Sequence, residues 1–361
     1  MGTFDKDRRQ KELAVRYCLA TCQIPFLEVV VKSATDLSDS VEVLTDLDVL
    51  GVQQVGDGDL RRTLFDCKTG SKLSAINRAF WAAGVKRYTN CDDAIVLLKN
   101  RPVHNHRMSA LEMRVDLHDE QSFLDFAASF DPVFPTDDWY LSSIDRWELV
   151  ADAYATNDWS RGLYDLSRNT VPLASVPWAV FRKIIADLKG FRGEFDPGKP
   201  KHVSIYLDVL SSCMVLWSVL GRDVRRFYQP AMIKAEFEKV LRYYLWGGRE
   251  SYGIRQKIYD LGPGNGSENS VELPKWGMLV QFSGLVIASP QQLLSSAVIA
   301  KELSVRCLSG KIEAPESNLT SQFSANNRAK QFISGLNDYL IQAAQLPKDL
   351  GKTVEAMLFT K

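Results

Sequence analysis

Asp46-Leu47-Asp48-Val49-Leu50-Gly51, followed by Leu64-Phe65-Asp66-Cys67-Lys68, is the stretch on which the fold turns. Each run reads as a β-strand, and side chains alternate across a strand with a period of two. In the first, Glu42, Leu44, Asp46 and Asp48 share one face, and Val41, Val43, Leu47 and Val49 the other. In the second, Leu64, Asp66 and Lys68 share a face, while Phe65 and Cys67 turn away. The apolar faces suit a core. The other faces put acids and one lysine at the end of a sheet. Between the runs, Gln53 to Leu60 carries Gly56-Asp57-Gly58, a strong turn signal. A hairpin therefore brings Asp48 close to the Asp66–Lys68 pair.

Outward from the hairpin, residues 5–22 place Leu13, Ala14, Tyr17, Cys18 and Thr21 near helical spacing, which predicts a first helix carrying Glu12. Residues 26–34 are β-rich and predict a strand, with a turn at Asp36–Ser40. After the hairpin, Ser71–Ala83 has Leu73, Ile76, Ala79, Phe80 and Ala83 on one face, with an N-cap expected in Thr69-Gly70-Ser71. Ala94–Leu98 is a short continuous apolar run, as in a strand buried on both faces. A short helix at His106–Met113, a strand at Val115–Leu117 and a helix at Asp119–Ser129 follow. The order helix, three strands, helix, strand, helix, strand describes a mixed sheet flanked by helices.

Phe130–Asp138 carries two prolines and turn formers, and predicts a boundary between residues 1–130 and 139–361. Beyond it helical patterns dominate: 139–154, 176–188, 203–220, 224–244, 290–307 and 325–344. Met278–Ala288 is the best strand signal there, and Phe191–Pro200 and Asp260–Asn269 read as loops. No repeat period emerges. The loop at 260–269 lacks the Gly-Lys-Ser/Thr ending of a phosphate loop.

The composition, 45% hydrophobic and 24% charged, is that of a globular chain able to bury a core without disulfides. The 44 basic and 44 acidic residues cancel, so any nucleic-acid surface must arise from segregation of charge. The six cysteines form no CxxC and read as reduced cytosolic thiols, with Cys18 and Cys22 on one helix face. No Cys or carboxylate stands at zinc-finger spacing from His104 and His106. The charged N-terminus is unlike a signal peptide, and Lys6 stands where a myristoylation signal wants Ser or Thr. Val203–Leu220 is the most membrane-like stretch, but Asp208 and four serines favour a buried helix. A cytoplasmic protein without membrane partners is expected.

The hairpin and its flanks resemble the PD-(D/E)xK nuclease superfamily, the restriction-endonuclease-like fold, over roughly residues 10–130. Asp48 matches its first acid, Asp66 its second and Lys68 its lysine. Asp66 stands where Glu is more usual, and the proline that names the motif is absent before Asp48. The resemblance implies catalysis by Asp48, Asp66 and Lys68. It also implies Mg²⁺ or Mn²⁺ held by Asp48, Asp66 and the Cys67 backbone carbonyl, with Glu12 and Asp46 as further candidates. Mg²⁺ takes oxygen ligands and keeps several waters, so one or two carboxylates suffice. A divalent ion would also relieve the crowding of Asp46, Asp48 and Asp66 on one face. The bland alternative is a solvated sheet face with a cross-strand ion pair.

Arginines interleaved with aromatics, Arg225 and Arg226 beside Phe227 and Tyr228, and Arg242 beside Tyr243 and Tyr244, suit phosphate pairing and base stacking. Lys72 follows the motif closely enough to meet a phosphate. The same residues also read as core aromatics with wet arginine faces. The expected function is a metal-dependent DNA endonuclease, by family analogy in prokaryotic defence or restriction, with a mostly helical accessory region. That region would bind substrate, a protein partner or a second copy. The competing reading is a non-catalytic nuclease-fold scaffold in a larger assembly, favoured by zero net charge and by Trp139, Trp147, Trp159 and Trp178. A third, an RNA- or nucleotide-directed hydrolase, has no recognisable RNA-binding module behind it.

Overall fold

The computed structural model describes residues 6–33, 40–56, 58–70, 74–135, 139–261, 271–309 and 317–359. The first part runs α1 (Arg8–Ala20), β1 (Ile24–Lys32), β2 (Val43–Val55), β3 (Asp59–Lys68), α2 (Ala75–Thr89), β4 (Asp93–Leu98), α3 (His104–Glu112), β5 (Val115–Asp119) and α4 (Glu120–Ala128). This is the predicted order of elements. The sheet is mixed and ordered β1-β2-β3-β4-β5; β2 is antiparallel to β1 and β3, while β3, β4 and β5 are parallel.

Local chemistry places the ends of these elements. Gly56 (φ 51°) and Gly58 (φ 110°) supply the left-handed backbone of the β2–β3 turn; Asp57 lies outside the described residues. Asp119 and Ser122 cap α4 reciprocally, at 3.0 and 3.1 Å. Ser74, not Thr69–Ser71, caps α2, and residues 71–73 lie outside the described set. Gly51 faces α1 so closely that a Cβ there would stand 2.1 Å from Gln23 Oε1 and 2.8 Å from Cys18 Sγ. On the same face Tyr17 packs on Phe65 and on Phe123 of α4, with ring centroids 5.9 and 5.5 Å apart. Arg78 of α2 instead reaches Asp66, on the alternate face of β3.

Two early expectations are corrected here. Burial of β2 begins only at Leu47; Val43 stays 67% exposed. The β2–β3 ladder covers Val49 to Val55, so among the described residues the first part of β2 pairs with β1 alone. Cys22 lies beyond the end of α1, exposed, while Cys18 is buried.

The helical part comprises α5 (Ile144–Ala155), α6 (Arg161–Asp165), a π-helical turn Leu166–Thr170, α7 (Pro177–Gly190), α8 (Pro200–Phe227), α9 (Lys234–Leu245), α10 (Arg249–Asp260), α11 (Trp276–Ala288), α12 (Leu293–Arg306), α13 (Ser317–Ala325), α14 (Ala329–Ala343) and α15 (Lys348–Phe359). Met278–Ala288, expected as a strand, is helical. Trp276, Leu279, Phe282, Ser283 and Val286 are its buried residues, which is helical spacing within a run too apolar to show a period. The expected single helix over 224–244 is two: α8 ends at Phe227 and α9 begins at Lys234, with Pro230 between. Prolines at the first turns of α7 and α8 are placed where their missing N–H is harmless.

α8 is long and apolar enough to cross a membrane by composition, yet 94% of its apolar window is buried in the fold. Its Asp208 is paired with Lys301 of α12 at 2.6 Å and accepts from Tyr154 Oη at 2.9 Å. Lys301 Nζ also lies 5.1 Å from the rings of Phe26 on β1 and Trp147 on α5. The apolar core runs on from the sheet into the helices. The outer edge of β1 is closed by side chains of the π-helical turn: Arg168 donates to the Leu27 carbonyl and Asn169 accepts from Val30 N, each at 2.8 Å.

Candidate active site

The β2–β3 ladder stops at the Val49–Phe65 pair. One residue further, the Asp48 carboxylate stands between the strands and accepts the Cys67 backbone N–H at 2.8 Å. The same oxygen accepts from Lys68 Nζ at 2.6 Å, and Lys68 Nζ lies 3.1 Å from Asp66 Oδ1. Asp48, Asp66 and Lys68 therefore meet, with one ammonium bridging the two acids. Asp66 is buried completely; Lys68, at 20% side-chain exposure, and Arg78, at 19%, reach solvent.

Three further charges extend this group. Arg78, on α2, grips both oxygens of Asp66, with Nε at 2.7 Å from Oδ2, and stacks 4.1 Å from the Trp81 ring. Lys11, on α1, pairs with Glu28 of β1 and stands 3.9 Å from Asp48 Oδ1. Glu28 is opposite Asp48, in the gap of a register that otherwise pairs Leu27 with Val49 and Val29 with Leu47, and its φ is 53°. A non-glycine in the left-handed region inside a strand is strained backbone. The result is a row that alternates in sign: Glu28, Lys11, Asp48, Lys68, Asp66, Arg78. Beside it, Asp7 accepts from Thr69 N at 2.6 Å and fastens the end of β3.

Burial, opposed by Lys68, raises the Asp48 carboxyl to about 6. Burial alone would lower the Lys68 ammonium, but Asp48 and Asp66 outweigh it and hold its pKa above the ordinary lysine value. The site thus keeps its lysine charged and has an acid that gains from a nearby cation.

The other candidates lie elsewhere. Glu12 is 3.4 Å from Ile144 N and 3.8 Å from Arg8, facing the helical part rather than the row. Asp46 is exposed and joins no ion pair among the described residues. Arg242 is engaged by Glu238 and Glu272, at 3.3 and 2.6 Å. Arg226 lies 3.8 Å from Asp59, and Arg225 is exposed at the end of α8. Lys72 lies outside the described residues. Sequence reasoning missed Lys11, Glu28 and Arg78. Only Glu28 left a trace, as an acid inside the apolar run Phe26–Val31.

The candidate ligands Asp48 and Asp66 offer only oxygen, which suits Mg²⁺ or Mn²⁺ rather than a softer ion. Among the described residues no three His, Cys, Asp or Glu side chains converge as a metal-ligand group. The convergence on the Lys68 ammonium nevertheless shows that two carboxylates already share one cation. No family model, curated protein or solved structure matches this chain.

Proposed function

We propose that the protein is a metal-dependent nuclease of the PD-(D/E)xK, restriction-endonuclease-like class that hydrolyses DNA phosphodiester bonds with Asp48, Asp66 and Lys68. The observation that carries this reading is the meeting of both carboxylates on one charged lysine, at the place where β2 and β3 part. The order of elements around it supports the fold class.

Asp48, Asp66 and the Cys67 carbonyl would hold Mg²⁺ or Mn²⁺, which when bound supplies an activated water and charge neutralisation at phosphorus. Lys68, kept charged by its two acids, orients the attacking water and balances negative charge on the phosphoryl oxygens. Arg78 must release at least one Asp66 oxygen, and Trp81 gives its guanidinium a surface on which to stay. A cytoplasmic defence or restriction role, with a partner or second copy on the helical part, extends the same reading by analogy.

One observation favours the non-catalytic scaffold instead: Arg78 and Lys68 already neutralise Asp66. Cleavage of supercoiled plasmid, linear duplex and single-stranded DNA with Mg²⁺ or Mn²⁺ separates the two. Asp66→Ala, Lys68→Ala and EDTA serve as controls. Metal-dependent cleavage lost in both variants is the expected result. Folded proteins that cut nothing, alone or with co-purified partners, would establish the scaffold.

A further inference from the structure

Arg182, on α7, lies 5.0 Å from the ring of Trp178, one turn earlier, and 4.4 Å from that of Trp246, at the end of α9. Arg255, on α10, lies 5.1 Å from the same Trp246 ring. The arrangement depends on Gly247, whose φ is 82° and whose missing Cβ would stand 2.4 Å from Trp178 Cη2. Three helices and one glycine with positive φ thus hold two guanidinium groups against one indole.

What sets these arginines apart, among the described residues, is the lack of an oxygen partner. The other arginines that lie over rings among the described residues each have one. Arg78 has Asp66, Arg146 has Ser309 Oγ, Arg168 has the Leu27 carbonyl, Arg242 has Glu272 and Arg306 has Glu302. Neither Arg182 nor Arg255 bonds an acid, hydroxyl or carbonyl among the described residues. Arg182 Nε and Trp246 Nε1 are buried donors without an acceptor. Burial, and then the charge of Arg255, disfavour the charged form of Arg182. In a chain whose charges cancel, two stacked arginines with no acid between them are a local surplus.

We propose that Arg182 and Arg255 form a phosphate-recognition site on the helical part, one that takes backbone phosphates of a nucleic-acid strand. A guanidinium held against an aromatic ring presents its planar fork at reduced entropic cost, and that fork matches a phosphate's oxygens. Two neighbouring backbone phosphates, one on each guanidinium, would also offset the repulsion between the arginines. The site deepens the nuclease reading by assigning a substrate contact on α7 and α10 rather than on the sheet.

The test is binding of a labelled oligonucleotide, single-stranded or duplex, to the full chain in EDTA, followed by fluorescence anisotropy across a salt series. Arg255→Gln changes an exposed side chain and should leave the fold intact; Arg182→Gln/Arg255→Gln removes both charges. The double variant is expected to bind at least ~10-fold more weakly, with a log K against log salt slope shallower by roughly 1.4–1.8. Arg255→Gln alone should account for about half of that change in slope. Affinity and slope unchanged in both folded variants would overturn the site. Displacement by polyglutamate as effective as by unlabelled oligonucleotide, charge for charge, would overturn its assignment to nucleic acid, whereas weak competition by inorganic phosphate is expected. Because no metal is present, the outcome is independent of cleavage. A chain that binds through these arginines but cuts nothing keeps this site and loses the nuclease reading. A chain that cuts DNA but binds it equally well without them does the reverse.

Discussion

Asp66 and Arg78 form a two-point ion pair in which the acid is wholly buried and the guanidinium only partly so. The pair occupies both oxygens that a metal would need, and it is made by a helix that starts after β3 ends. Arg78→Ala should therefore do two opposed things. It should destabilise the protein, by less than the about 3–5 kcal/mol that follows when a buried charge is left alone, because Lys68 remains 3.1 Å away. It should also raise Mn²⁺ affinity about tenfold, since a competing cation is gone. Calorimetric titration and thermal melts with and without Mn²⁺ check both; a variant that melts lower and gains nothing from Mn²⁺ would contradict the second.

Asp48 sets a pH dependence. Its folded-state pKa, about 6, lies above the ordinary carboxylate value, so the folded protein holds that proton more tightly than the unfolded chain. The associated stability is present below the ordinary value and is lost as pH rises through about 6. Metal affinity runs the other way, because a ligand must be ionised. Mn²⁺ binding should weaken as pH falls below about 6 and level off above about 7, and Asp48→Asn should remove both the affinity and its pH dependence. A flat profile across that window in the wild type would speak against Asp48 as a ligand.

Lys11 is 2% exposed and holds the charges of Glu28 and Asp48 together. Lys11→Met keeps the length of the side chain and deletes the ammonium, at a cost of roughly 3–5 kcal/mol at neutral pH. The loss should shrink as pH falls through about 6, where Asp48 takes up its proton. Urea denaturation at neutral and acid pH measures it, and a loss that does not depend on pH would point to packing instead.

Gly51→Ala probes the contact between β2 and α1. Its new methyl would meet Gln23 Oε1 and the buried Cys18 Sγ. The end of Gln23 can move, but Cys18 in the helix interface cannot easily do so. A cost of about 1–3 kcal/mol is expected from overpacking, visible in the denaturation midpoint, with the geometry of Asp48 and Lys68 kept.

The pleat of a strand makes Asp48, Asp66 and Lys68 legible from spacing alone, because i and i+2 share a face wherever the strand goes. The same rule cannot announce Arg78, whose meeting with Asp66 depends on how α2 crosses the sheet, nor Lys11, which belongs to a different element from both its partners. Glu28 belongs to the row through a local departure from the pleat that no residue type demands. Met278–Ala288 shows the opposite failure: a run apolar on every side carries no period, so strand and helix look alike until neighbours bury one set of positions. In the helical part, aromatics and arginines were visible as a composition. Which arginines had already found acids, as Arg242 has, was decided by tertiary pairing.

The alternating row also has an arithmetic. Glu28, Asp48 and Asp66 balance Lys11, Lys68 and Arg78, so the resting site carries no net charge. A divalent ion added to it would leave two positive units unmatched, and a phosphodiester brings one negative unit toward them. Ion and strand would then each tighten the other's hold by the same factor, a reciprocity that equilibrium imposes on any two ligands sharing a site. On the nuclease reading proposed above, such a protein would retain metal poorly when idle and well when occupied, so that any hydrolytic power would exist only in the company of its substrate.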